Sequence, residues 1–129
     1  NMTEDDMTKR IITAMETGLV NVIAHPTSRL LPGREPYPLN METLFETAKK
    51  YNVAMEVNSY PDRLDLNDIH CKLEKDMVVM LVISTDTHMK LHMDNIRFGV
   101  NTARRGWVEK KDVLNTRPLT EVLKLLKKR

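Results

Sequence analysis

Short apolar segments alternate with longer amphipathic segments along this chain, and this alternation constrains the fold more than any other feature. Residues 19–25, 53–58 and 78–85 are short, rich in β-branched residues and bounded by turn residues, as β-strands are. Residues 41–51 and 66–76 separate them and carry apolar residues at helical spacing. Since parallel strands need crossover connections, usually helices, we expect an α/β protein with a three-stranded parallel sheet flanked by helices.

Helices are also expected outside this alternating region. Residues 2–16 have apolar residues near helical spacing, and Thr3 with Asp6 forms a capping box at the start. Two more helices are expected over residues 93–105 and 119–129. The sequence therefore predicts five helices and three strands.

Two details of the connecting helices follow from the sequence. Asn40 is a plausible N-cap for the helix over residues 41–51, because its side chain can accept a hydrogen bond from the first helical turn. The helix over residues 66–76 is expected to direct one face toward the core. That inward face is expected to carry Leu66, Ile69, Cys71 and Leu73.

The size and composition of the chain favour a single soluble domain. Its 129 residues suffice for one hydrophobic core but fall short of the roughly 200–250 residues of a complete α/β barrel. A net charge of +2 neither requires nor excludes nucleic acid as a partner. With one cysteine and no apolar run near the roughly 20 residues that cross a bilayer, we expect a cytoplasmic chain without membrane contact. Asn1 in place of an initiator Met is typical of a piece of a longer protein.

Polar residues stand at the carboxyl end of each expected strand. His25 ends the first strand, Glu56 and Asn58 end the second, and Asp86 and His88 follow the third. In α/β sheets and barrels, ligands bind beyond the carboxyl ends of parallel strands. Asp and neutral His are ordinary ligands for Zn or Mn, and coordination positions left to water make such a metal hydrolytic. The pattern indicates a metal-dependent site at this edge of the sheet.

A purely structural interpretation of the same residues is also open. A single His at a strand end often has only a structural role, and the D-x-H pattern of Asp86 and His88 is short. Glu56 lies in a strand expected to be buried, where an unpaired carboxylate costs several kcal/mol. An ion pair with Arg29 or Arg63 would satisfy it without a metal. The pattern alone does not choose between the two interpretations.

Several longer motifs resemble one protein family. The segments "HPTSRLL", "EVNSYPDRLDLND", "ISTDTH", "IRFGVNTARRGWVEKKDVLNTRP" and "LKLLKKR" resemble the carboxyl-terminal part of the PHP (polymerase and histidinol phosphatase) domain of bacterial and archaeal family X DNA polymerases. The resemblance covers residues 3–129 in order, and it implies that residues 1–129 are the carboxyl-terminal part of a single PHP domain. The three strands would then belong to a distorted (β/α)7 barrel whose amino-terminal strands, with the polymerase domain, lie upstream.

The resemblance also implies which residues bind metal. The family binds up to three divalent ions, Zn or Mn, at the carboxyl ends of its strands. His25, which precedes Pro26, matches an H-P motif of the family, and Asp86 with His88 matches its D-x-H pair. The other ligands of the family are expected upstream of Asn1, so the metal site on this chain is expected to be incomplete.

Four further residues are candidates for the surroundings of this site. The resemblance places Arg29 and Arg63 on loops where a guanidinium could contact phosphate. The alternative, that one of them pairs with Glu56 or Asp65, stays open. Glu56 and Asn58 are candidates for supporting the ligands or the substrate.

The implied activity is metal-dependent phosphoester hydrolysis, in the form of 3′ to 5′ removal of nucleotides from DNA ends beside a repair polymerase. The expected partners are DNA, the amino-terminal part of the same barrel, the polymerase domain and a second copy of the chain, because a sheet cut from a barrel exposes an edge strand. The isolated chain is expected to bind metal weakly and to have little or no nuclease activity. The alternatives are a non-catalytic DNA-positioning scaffold and a stand-alone phosphatase of the histidinol-phosphatase type.

Overall fold

The structure, a computed structural model, describes residues 2–126 as a three-stranded parallel sheet with helices packed against it. The strand order is β1-β2-β3, and both neighbouring pairs are parallel. The predicted α/β class and parallel sheet are therefore confirmed, whereas a closed barrel is not formed within residues 2–126 and stays a prediction. The strands are β1 (Val22–Ile23), β2 (Ala54–Asn58) and β3 (Leu81–Ser84), and the helices are α1 (Glu4–Glu16), α2 (Met41–Tyr51), α3 (Asp68–Asp76), α4 (Ile96–Arg105) and α5 (Leu119–Leu125).

The central strand, β2, is buried along its whole length. It pairs with β1 on one side and with β3 on the other, where Met55 lies opposite Leu81 and Asn58 lies opposite Ser84. Helices α2 and α4 both pack against it. A strand with neighbours on both edges and helices over it loses access to water on both faces, which explains the run of apolar residues that identified it in the sequence.

The hydrophobic core lies between the sheet and the helices around it. The face of α2 expected from helical spacing is buried, and Met15 of α1 packs into the same core. Between residues 2 and 126, none of the helices has the length and apolar character needed to cross a bilayer. The buried residues of α2 are Met41, Leu44, Phe45 and Ala48.

One part of the predicted core is wrong. Leu66 and Cys71 are buried as expected and Leu73 is partly buried, but Ile69 is 73% exposed. The reason is that α3 begins at Asp68, after Asn67, whose Oδ1 accepts a hydrogen bond from a backbone N–H in the first turn. The buried face of α3 then runs through Cys71 and Glu74, three residues apart, and Ile69 lies on the opposite side.

The predicted helix caps are present, but the strands are shorter than predicted. Thr3 and Asp6 form the expected capping box, and Asn40 caps α2. The third strand, expected from residue 78, begins only at Leu81, because Val78 has a positive φ of 61° and ends the turn after α3. The expected helix over residues 93–105 starts as a 3-10 helix, Lys90–Asn95, and α5 is described to Leu125; residues 127–129 of its expected range lie outside the described residues.

The outer edge of β3 is covered by the chain itself. Val113 pairs with Leu81 in a parallel bridge, and the side chain of Asn115 forms hydrogen bonds with the backbone of Ile83. Two 3-10 helices, Lys110–Asp112 and Leu114–Thr116, lie on either side of Val113. The edge of β3 is therefore not open at Leu81 and Ile83, because the segment after α4 returns to pair with that strand. The expectation of an exposed edge strand stays a prediction for the outer edge of β1.

Candidate functional site

The carboxyl ends of the three strands are joined through the side chain of Glu56. Its Oε2 accepts a hydrogen bond from the backbone N–H of His25 at 2.5 Å and from Asn58 Nδ2 at 3.4 Å. Its Oε1 accepts a hydrogen bond from the hydroxyl of Ser84. Glu56 is 7% exposed, so these donors offset the loss of water around a buried carboxylate.

Glu56 is therefore satisfied without either of the arginines considered for it. Its donors are the backbone at the end of β1, an amide on its own strand and a hydroxyl at the end of β3. Ser84 was not predicted as a site residue. It follows Ile83 at the end of an apolar run and lies opposite Asn58, but only the pairing register of β2 and β3 brings its hydroxyl to Glu56.

Asn58 shapes the turn that follows β2. It is fully buried, and its Oδ1 accepts a hydrogen bond from the backbone N–H of Tyr60 at 3.0 Å. The backbone of Asn58 also exchanges hydrogen bonds with that of Asp65, which closes the loop between them. Asn58 thus holds together the two ends of the loop that carries Arg63.

Asp86 and His88 lie in the loop that follows β3. The strand ends at Ser84 and Asp86 has a positive φ of 49°, so strand alternation does not bring these two side chains together. Instead, His88 Nδ1 is 2.7 Å from the backbone oxygen of Asp86 and 4.0 Å from its Oδ1. The imidazole is largely exposed, and its Nε2 has no hydrogen bond among the residues that the structure describes.

His25 shares the unusual backbone conformation of Asp86. Its φ is 31°, in the left-handed region that non-glycine residues rarely adopt. Strained backbone of this kind costs about 1–3 kcal/mol per residue and tends to cluster at functional sites. Two of the three predicted metal ligands thus lie where the backbone is strained.

Arg63 is placed beside Asp86. Its Nε is 3.7 Å from Asp86 Oδ2, and its Nη1 donates to the backbone oxygen of Arg29 at 3.3 Å. Arg29 in turn donates from Nε to the backbone oxygen of Arg63 at 2.6 Å and from Nη2 to that of Leu64. Arg29 therefore clamps two loops together, whereas Arg63 faces the candidate site.

Asp65, the other carboxylate considered as an arginine partner, is part of the same loop structure. It is fully buried, and its Oδ1 accepts a hydrogen bond from the backbone N–H of Thr27 at 3.3 Å. Burial raises the pKa of Asp65, while hydrogen bonds from Thr27 and Ser28 and the charge of Arg29 act in the opposite direction. Among the described residues, Asp65 forms no ion pair within 4 Å of an arginine nitrogen.

A cleft of about 210 Å³ opens beside this arrangement. Its lining combines one guanidinium, two carboxylates and an imidazole, so an anionic group would be bound through the guanidinium of Arg63 and not through the carboxylates. Sequence reasoning identified three of the lining residues and missed the other three, which had no pattern of their own. The residues are Leu30, Tyr60, Asp62, Arg63, Asp86 and His88.

The described residues do not fit a complete metal centre. Between residues 2 and 126, no three side chains of His, Cys, Asp or Glu come close enough together to hold a metal ion. Asp86 and His88 supply two neighbouring donors, and His25 is not grouped with them. A metal centre at this edge would need ligands beyond those that the structure brings together.

Comparison with known proteins relates the chain to two kinds of protein. No protein-family model matches it. The Bacillus subtilis (strain 168) protein named DNA polymerase/3′-5′ exonuclease PolX is 42% identical over 128 residues, which make up 99% of this chain and 22% of that protein. A probable phosphatase of Tolumonas auensis is 31% identical over 98 residues, 71% of this chain and 37% of that protein. A probable phosphatase of Thermoanaerobacter sp. (strain X514) is 26% identical over 115 residues, 84% of this chain and 44% of that protein.

The chain thus spans less than half the length of each of these relatives. The alignment with the Bacillus subtilis protein includes nearly the whole sheet and all the helices described above. The resemblance inferred from the sequence motifs is confirmed: over nearly all of its length, the chain is a homologue of one segment of a bacterial family X DNA polymerase.

Proposed function

We propose that this chain is the carboxyl-terminal part of a phosphoesterase domain of the PHP type, which removes nucleotides from the 3′ end of DNA in a repair polymerase of family X. The observation that carries the proposal is the cleft beside Arg63, Asp86 and His88, at the carboxyl ends of three parallel strands. The names of its relatives, an exonuclease and probable phosphatases, have phosphoester chemistry in common.

Arg63 is the residue best placed to bind the phosphate group. Its guanidinium is held at one side by the backbone oxygen of Arg29, and its contact with Asp86 is long, at 3.7 Å. A guanidinium can bind two phosphate oxygens at once. Because its ion pair with Asp86 is loose, the guanidinium of Arg63 can make such a contact. Arg29 has two of its nitrogens committed to backbone oxygens, so we assign it the role of fixing the loop.

Divalent ions are part of the proposal, although the described residues do not complete a site for them. Asp86, His88 and His25 are the ligands that this chain would contribute, and the remaining ligands would come from other parts of the protein. We expect the isolated chain to bind Mn²⁺ or Zn²⁺ weakly, because two adjacent donors give little affinity without the rest of the ligand set. Isothermal titration of each metal into the purified chain measures this affinity.

The phosphate-binding part of the proposal can be tested on the chain itself. Titration with inorganic phosphate, followed by ¹H–¹⁵N NMR, is expected to shift the amide resonances of Tyr60, Arg63 and His88. Arg63→Gln is expected to weaken phosphate binding by about tenfold or more, since one charge-assisted contact contributes roughly 1.5–3 kcal/mol. Arg104→Gln, on the exposed side of α4, serves as the matched control. Equal binding by both variants would contradict the proposal.

Hydrolysis by the isolated chain is a separate matter. Because the ligand set is incomplete, we expect little or no digestion of a labelled DNA 3′ end by the 129-residue chain in the presence of Mn²⁺. Robust digestion that Asp86→Ala abolishes would show that the chain is active alone and would contradict this expectation.

Two other functions have some support. The matches to probable phosphatases favour a small phosphomonoester as the substrate. A DNA-positioning scaffold without catalysis is the other alternative, because residues 2–126 do not bring together a full set of metal ligands. Competition in the NMR titration separates these functions from an exonuclease. An exonuclease part is expected to prefer an oligonucleotide with a free 3′ end, a phosphatase part a phosphomonoester, and a scaffold is expected to bind duplex DNA without shifts at Arg63 or His88.

A further inference from the structure

The backbone of β3 faces two neighbours, and only one of them is a strand. The backbone N–H of Met55 donates to the oxygen of Met80 at 3.0 Å, and that of Ser59 donates to the oxygen of Ser84 at 2.7 Å. Backbone groups of alternate residues in a strand point to opposite edges. The groups of Leu81 and Ile83 therefore point away from β2, toward the outer edge of the sheet.

The segment after α4 occupies this outer edge. Val113 forms a parallel bridge with Leu81. Two residues further along each segment, Asn115 pairs with Ile83 through its side chain. Asn115 Oδ1 accepts a hydrogen bond from the backbone N–H of Ile83 at 3.1 Å, and Asn115 Nδ2 donates to the backbone oxygen of Ile83 at 2.7 Å. An amide side chain carries a donor and an acceptor as a peptide group does, so Asn115 replaces a neighbouring strand at this position.

Asn115 is exposed, and its neighbours anchor the segment that carries it. It lies in the 3-10 helix Leu114–Thr116, next to Val113 and Leu114, both of which are buried. The hydroxyl of Thr116 donates at 2.8 Å to backbone oxygens of this segment, including that of Val113. Arg117 Nη2 donates to the backbone oxygen of Lys111 at 3.2 Å. The segment thus provides a fixed support for the amide.

The residues that Asn115 holds lead directly into the candidate site. Ile83 is followed by Ser84, whose hydroxyl binds Glu56, and Asp86 lies two residues after Ser84. We propose that Asn115 is a positioning residue: by pairing with Ile83 it fixes the end of β3, and with it the direction in which the loop bearing Asp86 and His88 leaves the sheet. This inference rests on the proposed function in one respect, namely that Asp86 and His88 are site residues.

The test compares variants of Asn115 by ¹H–¹⁵N NMR on the purified chain. Asn115→Leu has nearly the same size but no hydrogen bonds, and it is expected to speed hydrogen exchange of the Ile83 amide by about tenfold and to shift the amide resonances of Asp86 and His88. Asn115→Asp keeps an acceptor for the Ile83 N–H but turns an oxygen toward the Ile83 carbonyl, so protection of that amide is expected to be rescued only in part. Asn101→Leu, at an exposed position of α4, is the control and is expected to change neither.

Each outcome decides the inference. Loss of protection at Ile83 with unchanged resonances of Asp86 and His88 would limit Asn115 to covering the strand edge and would overturn the positioning role. An unprotected Ile83 amide in the parent chain would overturn it as well. Were Asn115→Leu to unfold the chain, Asn115→Asp would still decide, since loss of its bond to the Ile83 oxygen is expected to shift Asp86. The phosphate titration with Arg63→Gln fails or succeeds independently, so failure of the proposed function is distinguishable from failure of this inference.

Discussion

At the scale of single residues, two buried glutamates differ in whether hydrogen bonds offset the cost of burying their carboxyl groups. Glu56 lies at the strand ends with three hydrogen-bond donors around its carboxylate. Glu74 of α3 is fully buried, and neither of its carboxylate oxygens has a hydrogen-bond partner with normal geometry among the described residues. Burial without a hydrogen-bond partner disfavours the charged form of Glu74, whereas the donors around Glu56 offset the cost of burying its carboxylate.

Glu74 makes the stability of the chain depend on pH. Burial raises the pKa of Glu74 well above 4.5. This effect outweighs that of the Met55 backbone, whose hydrogen-bonding interaction with the carboxylate lowers the pKa. The folded chain then keeps a proton that the unfolded chain loses above about pH 4.5, so the free energy of unfolding is expected to fall as pH rises beyond that value. Glu74→Gln is expected to remove this dependence and to stabilise the chain at about pH 8 by roughly 1–3 kcal/mol.

Urea unfolding at about pH 5 and about pH 8 measures the effect. Glu46→Gln, on the exposed side of α2, is the control and is expected to leave the pH dependence unchanged. A parent chain whose unfolding free energy does not fall between these two pH values would show that Glu74 is ionised or hydrated in the folded state.

Glu56→Gln is expected to act in the opposite direction. Both carboxylate oxygens of Glu56 accept hydrogen bonds, and a glutamine amide would present N–H groups to one set of these donors. We expect a loss of about 1–3 kcal/mol in the free energy of unfolding near neutral pH, measured by urea unfolding with Glu46→Gln again as the control. No loss would mean that the hydrogen bonds joining the three strand ends contribute nothing to stability.

At the scale of secondary-structure elements, the sequence predicted the existence and order of the strands and helices but not where the strands end. Helix α2 matched its prediction because Asn40 and the regular spacing after it act locally. The first and third strands were predicted too long, in part because positive φ values at His25 and Val78, neither of them a glycine, fall within their predicted ranges. Ile69 was misassigned because its helix begins later than the apolar pattern indicates.

The candidate site could be predicted only in part for a related reason. His25, Asp86 and His88 follow strand ends, and topology alone brings strand ends to one edge. The partners of these residues depend on register and on long-range pairing. Ser84 contacts Glu56 on the neighbouring strand, 28 residues away in the sequence, and Asn115 lies 32 residues from Ile83. No local pattern could indicate either contact.

The packing of α4 on the sheet depends on Gly99. A Cβ at this position would lie 2.8 Å from Ile83 Cγ2 and would also clash with the hydroxyl of Ser59. Gly99→Ala is therefore expected to destabilise the chain by about 1–3 kcal/mol, even though alanine favours helix by about 1 kcal/mol. Thermal unfolding compares it with Asn101→Ala on the exposed side of α4, where the change is expected to be neutral or stabilising. A stabilised Gly99→Ala variant would show that α4 does not pack closely on β3.

At the scale of the whole molecule, the covered edge of β3 changes how self-association is expected to occur. Apolar side chains stay exposed after that strand: Met89 is 57% exposed, Leu91 76% and Met93 61%. Met93 also lines an open apolar cavity beside the end of β3. Since exposed apolar patches commonly mark interaction surfaces, we expect two copies to associate through these residues and not through β3 edge pairing.

Light scattering over a range of concentrations tests this association. The parent chain is expected to show a mass approaching that of a dimer as concentration rises, and Met93→Lys is expected to weaken the association by about tenfold or more, because a charge would be buried at the contact. Leu19→Lys, at an exposed position elsewhere, is the matched control. A chain that is monomeric at all concentrations would contradict the prediction.

The central claim is that the cleft at the strand ends binds the phosphate at a DNA 3′ end, and titration of the chain with a short single-stranded oligonucleotide tests it most directly. We predict that the amide shifts map to Tyr60, Arg63, Asp86 and His88, and that Arg63→Gln weakens this binding by about tenfold or more while Arg104→Gln does not. Binding that maps to another surface, or that survives Arg63→Gln unchanged, would contradict the claim.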